Sequence, residues 1–426
     1  MAYDVIVIGA GLSGLLGGIR LAEAGRRVLL LAKGHGTTHW ANGAIGVSRD
    51  AEPLVGFARL ASDVAHPYAR VDLATLTAAA ERLRALCAAA DYPLAGTLDR
   101  NTLLPTAVGA TLFAALYPAT MAAGALVPGQ DAGPLLIAGF RQLRDFFPPF
   151  AAANLRAAGY DARAVWPDLP PTRRRLEFTS TVLAELFEDA AFRAAVGRQL
   201  RAMRGGATRI GLPAILGAHA ASAVVGELTA LAGAPVFEIP TLPPSVPGIR
   251  LYDILARAFQ RAGGRLQIGS WVLRAETEGR RVIAVRTEAA AREARYVANA
   301  YLLATGGVAG GGFRTDHTGA IVETAFGLPV RAPAARADWF GPRFSGAQPI
   351  HHAGLATDAA LRPIDPAGEP LYDNVVVAGA ALGGADLLRE RSYEGVALAT
   401  GWHAATTLLE DASRAVPLRS SVSSVD

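Results

Sequence analysis

The sequence predicts an α/β protein: a Rossmann-like ligand-binding domain that carries a β-meander and an inserted, mainly helical cap. Three observations point there. A buried strand, Asp4 to Ile8, runs into Gly9-Ala-Gly11-Leu-Ser-Gly14 and a helix. Two later apolar runs end in similar glycine turns, at Thr305-Gly306-Gly307 and at Gly379 to Gly384. Between about residues 75 and 240 the strand–helix alternation gives way to amphipathic helical stretches broken by proline-rich loops.

In the first turn each glycine has a job. Gly9 allows the tight turn, Gly11 lets backbone approach a pyrophosphate, and Gly14 lets the helix pack closely on the sheet. The helix opened by Leu12 and Ser13 then points its free N–H groups at a dianion. The helix ends at Ala24-Gly25, and Arg27 to Leu31 reads as the second strand. An acid that would take the ribose hydroxyls is expected at the end of that strand. Ala32 and Lys33 stand there instead, and Lys33-Gly34 offers a charge for phosphate. The crossover from Gly34 to Ile45, with Thr38, Asn42, Gly43 and Ala44, is too particular for plain linker.

The cap is expected over residues 76–240, with helical pieces at Leu73 to Ala90 and Ser180 to Arg204. The turn-rich segment Thr241 to Arg250 leads back, followed by a helix from Leu251 to Ala262. Arg265 to Ile268 with Trp271 to Ala275 (which holds Val272), then Arg281 to Thr287 and Ala294 to Leu303, read as the meander. The ligand-binding domain thus comprises 1–75, 241–330 and 355–415, with a junction at 331–354 and a flexible tail at 416–426. Three glycine turns on one sheet favour a large two-part ligand.

Composition narrows the function classes. The net charge is only +4 and the arginines are dispersed, so nucleic acid is not expected. The cluster Arg173 to Arg175 reads as a solvated face. Cys87 is the only cysteine, which excludes internal disulfides, iron–sulfur clusters and thiolate zinc sites; no metal centre is expected. The first strand begins at once, leaving no room for a leader, so a cytoplasmic location is expected. The uncharged stretch Asn101 to Gln130 is broken by prolines into runs too short to span a bilayer.

At these residues the chain resembles flavoproteins of the succinate dehydrogenase and fumarate reductase superfamily, and within it the B subunits of anaerobic glycerol-3-phosphate dehydrogenases. The resemblance is carried by Gly9 to Gly14, Leu104-Pro-Thr-Ala, Gly211 to Gly217, Thr241 to Arg250, Ala304 to Gly307, Glu323 to Pro329, Gly354 to Asp358 and Gly379 to Gly384. It implies a flavin held by the three glycine turns. FAD is expected, with FMN as the alternative because Ala32 cannot hold a ribose. Thr37 falls where the superfamily's covalent histidine would be, so the flavin is expected to be noncovalent. Ala380 stands where relatives often have Asp, and Arg389-Glu-Arg-Ser-Tyr-Glu394 replaces a small-residue segment.

The resemblance further implies oxidation of sn-glycerol 3-phosphate to dihydroxyacetone phosphate. Electrons would leave through a catalytic A-type flavoprotein and an iron–sulfur, membrane-bound C-type subunit to quinone, which would hold the chain at the inner face of the membrane. His351 and His352 are the candidate bases, with His39 next. Arg250, Arg343 and Arg389 are the candidates for the substrate phosphate. A non-catalytic electron relay, and a free-standing flavin dehydrogenase for another small acid, are the alternatives.

Overall fold

Continuous apolar runs form the centre of the larger sheet because helices or loops cover both of its faces. The computed structural model describes residues 2–129, 133–169, 176–288 and 292–414. Strand β1 (Tyr3–Ile8) leads through three residues into helix α1 (Leu12–Glu23), then strand β2 (Val28–Ala32), parallel to β1. Leu15, Leu16 and Ile19 of α1 are wholly buried. Helix α2 (Leu73–Ala88) starts at an Asp72 cap that accepts a hydrogen bond from the Thr75 N–H.

The inserted region is mainly helical, as expected. Helical residues outnumber strand residues there, but they flank a second, wholly parallel sheet. Its strands are β3 (Leu135–Ala138), β4 (Ala162–Val165), β5 (Arg209–Pro213) and β6 (Val236–Ile239), in the order β6-β5-β3-β4. They are four or five residues long, and an apolar run that short has no period to separate strand from helix. The helices between them are α3 (Pro148–Ala157), α4 (Ser180–Leu186), α5 (Ala190–Met203) and α6 (Ala221–Ala232). The single helical piece expected over 180–204 is thus two, because Asp189 caps α5 by accepting from the Phe192 N–H. This sheet has its own core, with Phe140, Phe187 and Phe237 wholly buried.

Helix α7 (Val246–Arg261) begins five residues earlier than expected, with Pro247 in its first turn, where a missing N–H costs nothing. Strand β7 (Arg265–Ile268) joins the edge of the larger sheet beside β2. The meander follows as β8 (Val272–Glu278), β9 (Arg281–Thr287) and β10 (Ala294–Leu303). The first residues of β10 pair antiparallel with β9, and the last ones lie parallel to β1 and to β11 (Val375–Val377). The chain closes with α8 (Leu387–Glu390) and α9 (Tyr393–Arg414). Helices α1 and α9 meet through glycines: a Cβ on Gly17 would stand 2.8 Å from the Gly401 carbonyl oxygen.

Among the described residues no helix is long and apolar enough to cross a membrane. Cys87 is buried, and burial pushes its thiol up to about 12, so it is inert near neutral pH. The Arg173 to Arg175 cluster, Gln130 and the 416–426 tail lie outside the described residues.

Candidate functional site

Strands β2, β1, β10 and β11 are parallel neighbours, so their C-terminal ends and the turns after them share one edge of the sheet. The three turn glycines there differ in what they do. Gly9 has φ +115°, and a Cβ on it would fall 2.1 Å from the Ala304 carbonyl oxygen; the turns after β1 and β10 touch backbone to backbone. A Cβ on Gly14 would meet the Gly9 carbonyl at 2.0 Å, so Gly14 packs the helix and faces no ligand. A Cβ on Gly11 would meet nothing within 4 Å. Helix α1 has no side-chain cap and no acid in its first turn, so its N-terminal N–H groups are available to an anion lying over Gly11.

These turns open on a cavity of about 630 Å³. Gly9, Gly11, Leu12, Ser13, Lys33, Gly34, Thr38, Ala44, Val272, Thr305 and Gly306 all line it. At the β2 end the Lys33 ammonium lies 4.1 Å from the centre of the Trp271 ring. The Thr305 turn is braced from behind by buried Glu323, which accepts from the Ala325 and Phe326 N–H groups at 2.8 and 2.6 Å. At the β11 end the wall is Ala380, Tyr393 and Glu394. The Tyr393 hydroxyl lies 3.2 Å from that of Thr37. His39 is not in the lining; it stacks on His35 at 4.5 Å, and burial, then His35, lowers its pKa.

The remaining glycine-turn candidates serve the walls from behind. Asn42 accepts from the Ala44 N–H at 2.9 Å and shapes the loop, and Gly43, at φ +81°, leaves space for Pro247. Gly307 lets the Ala380 carbonyl approach, and Gly379, at φ +73°, faces the Ser13 hydroxyl. Gly383 and Gly384 belong to a second cavity.

That second cavity, of about 200 Å³, lies beyond the same turn: Ala380 faces the larger space, while Leu382, Gly383 and Gly384 face the smaller one. Its ionisable lining is Arg70, Arg331, His66 and His352, with no carboxylate. His66 accepts the Tyr68 N–H at Nδ1, so its Nε2 carries the hydrogen that reaches Glu390 at 3.1 Å. His352 is the one expected base in this lining. Its neighbour His351 turns to Asp386, Nδ1 to Oδ1 3.1 Å, and neither histidine lines the larger cavity. Arg389 donates to the Ser345 carbonyl at 2.8 Å.

Arg250 requires a correction. It is 5 % exposed, and its guanidinium forks onto the carboxylate of Glu238, with Nη1 and Nη2 at 2.8 and 3.0 Å from its two oxygens. Nε donates to the Gly217 carbonyl at 2.9 Å, Nη2 donates to it as well, and Nη1 also reaches the Tyr92 hydroxyl. Glu238 further accepts from Thr120 and from the Leu216 N–H. Every guanidinium hydrogen is used internally, so Arg250 ties α7 to the second sheet and has none left for a substrate phosphate.

Tyr393, Glu394 and Trp271 in the larger cavity, and Arg70 and Arg331 in the smaller, are not singled out by sequence reasoning. The only signal for the first pair is the loss of the small-residue segment before α9.

A family model for an FAD binding domain matches residues 4–391. The probable B subunit of an anaerobic glycerol-3-phosphate dehydrogenase from Halobacterium salinarum is 33% identical, covering 96% of this chain and 98% of that protein. The corresponding B subunit from Pectobacterium carotovorum is 32% identical, covering 96% and 99%. Among solved structures, the quinol fumarate reductase FrdA of E. coli is 10% identical, with a TM-score of 0.47, covering 98% of this chain and 71% of that one. The cofactor is FAD. Related over nearly its whole length, the chain belongs to the FAD-binding family of B subunits of anaerobic glycerol-3-phosphate dehydrogenases.

Proposed function

We propose that the chain holds FAD noncovalently in the larger cavity and, as the B subunit of an anaerobic glycerol-3-phosphate dehydrogenase, oxidises sn-glycerol 3-phosphate to dihydroxyacetone phosphate. The observation that carries this reading is the convergence of three glycine turns from neighbouring parallel strands on one cavity. Bound FAD supplies a two-electron acceptor. The α1 N-terminus and Lys33 bind its phosphates. The carboxylate-free smaller cavity, with Arg70, Arg331 and His352, suits the substrate phosphate. His352, in that lining, is the group placed to take the substrate hydroxyl proton, with His351 held beside it by Asp386. With one cysteine the chain holds no cluster of its own, so electrons leave to an A-type flavoprotein and an iron–sulfur C-type subunit, which keeps the chain at the cytoplasmic face of the membrane.

One observation favours a second reading, an electron relay: His351, His352 and Arg250 all stand outside the lining of the FAD cavity. Anaerobic stopped-flow absorbance separates the two. For a dehydrogenase, sn-glycerol 3-phosphate bleaches the FAD of the isolated chain, and replacing both histidines by Gln slows this by about 10²-fold at unchanged FAD content. A relay bleaches only after the A-type flavoprotein is added. Absence of bleaching in both mixtures defeats both readings.

A further inference from the structure

The larger cavity has two chemically different ends, and the sheet order defines them. Strands run β7-β2-β1-β10, with β11 beyond β10. The turn after β1 takes a pyrophosphate, Lys33 and Trp271 lie on the β2 side, and Ala380, Tyr393 and Glu394 lie on the β11 side. A dinucleotide with its pyrophosphate over Gly11 and its adenosine toward Lys33 leaves the β11 side for its ring system.

At that end stands a carboxyl group with little to hold its charge. The Glu394 carboxyl is held by its own backbone N–H and by one long bond to Oε2 from the Gly46 N–H at 3.4 Å, and no ion pair to Glu394 occurs among the described residues. The groups that face it are few. Arg391 lowers its pKa weakly, the buried phenol of Tyr68 is held neutral far above neutral pH, and Tyr393 is occupied with Thr37. Neighbouring Glu390 is paired with His66. Burial dominates and raises the Glu394 pKa. Lys33 and His35, the other ionisable lining groups besides Tyr393, belong to the β2 side.

We infer that Glu394, over a window of pH, takes up a proton when FAD bound in this cavity is reduced, and gives it back on reoxidation; this rests on the cavity being the FAD site. Reduction by hydride delivers two electrons and one proton to the cofactor and leaves it with negative charge. A carboxylate sharing the same low-dielectric space is then repelled, so the Glu394 pKa is higher beside reduced FAD than beside oxidised FAD. Between those two values the carboxylate gains one proton from water and becomes the neutral acid; no bond to carbon changes. When a partner removes the two electrons, that proton returns to solvent. The coupling holds whether the electrons come from substrate or from another subunit.

The test is a redox titration of the FAD-loaded full chain at a series of pH values, for wild type and Glu394→Gln. Over the window between the two ionisations, wild type takes up one more proton per two electrons than the variant. Equal proton counts at every pH overturn the inference. Should the variant lose FAD, the reduced-minus-oxidised infrared spectrum of wild type decides: a new protonated-carboxyl band supports the inference, and its absence throughout the pH series overturns it. A wild-type chain that binds no FAD defeats the cavity assignment as well, an outcome visible in the absorbance spectrum before any titration.

Discussion

The parallel strands of the larger sheet and those of the smaller, wholly parallel sheet are built by the same strand–turn–helix rule and end in opposite ways. After β1, three residues lead into α1, whose first N–H groups meet no side chain. After β5, the chain takes seven residues to reach α6, and the N–H groups of His219 and Ala220 at its start donate to the carboxylate of Glu188 at 2.7 and 3.1 Å. The Leu216 N–H in that loop donates to Glu238. The smaller sheet brings its own anions to its turn, while the larger one leaves its donors to a ligand. A binding site here is a place where the fold has withheld an internal partner.

The largest effect that would break this comparison is on the self-filled side. Glu238→Ala strands the Arg250 guanidinium in a buried site and should cost about 3–5 kcal/mol, seen as an earlier urea transition. A cost below about 1 kcal/mol would return Arg250 to the set of ligand-binding groups. On the open side, Gly11→Val places a side chain where the pyrophosphate lies, in space that the fold itself leaves clear. FAD affinity should fall by at least about 100-fold, or ~2.7 kcal/mol, with the circular dichroism spectrum unchanged. Stoichiometric FAD in that variant would move the site elsewhere.

Arg331→Ala sharpens the contrast between the two cavities. Loss of one charged donor should raise KM for sn-glycerol 3-phosphate by roughly 10- to 100-fold and leave FAD content intact. A loss of FAD with unchanged KM would reverse the assignment. The smallest effect belongs to Glu188→Ala, about 1 kcal/mol as for a helix cap. Burial opposes the Glu188 charge, but the backbone N–H groups prevail and hold its pKa below the ordinary 4.5. Its contribution is therefore full above that value and fades as pH falls through the folded pKa. Thermal melts should show wild type and variant converging in acid, not in base.

Legibility in the sequence follows the range of the interactions. Strands β7, β9 and β10 are readable to their end residues because glycine or polar turns bound each one. Strand β3 is not, since Leu135–Ala138 is four apolar residues whose partners are some 25 and 75 positions away. Glu238, a lone acid in the apolar strand Val236–Ile239, is the signal for the Arg250 pair, but only the register of β6 against α7 joins them. Adjacent His351 and His352 face different neighbours, a divergence set by the short helical turn Pro349–His352, not by their order. Glu394 gains its importance from where α9 starts, beside Gly46 of a segment nearly 350 residues earlier.

Lys33 carries a practical consequence. It is the chain's only lysine, it is exposed, and it stands over Trp271 at the β2 end of the larger cavity. Apart from the α-amino group, an acylating reagent therefore meets a single amine in the whole chain. Ligand seated between Lys33 and the α1 N-terminus shields that amine, so the rate at which a mild ester modifies it becomes a direct gauge of occupancy. The same reaction on a chain with lysines elsewhere would be blurred by background; here one peptide mass reports whether the nucleotide half of the cavity is filled.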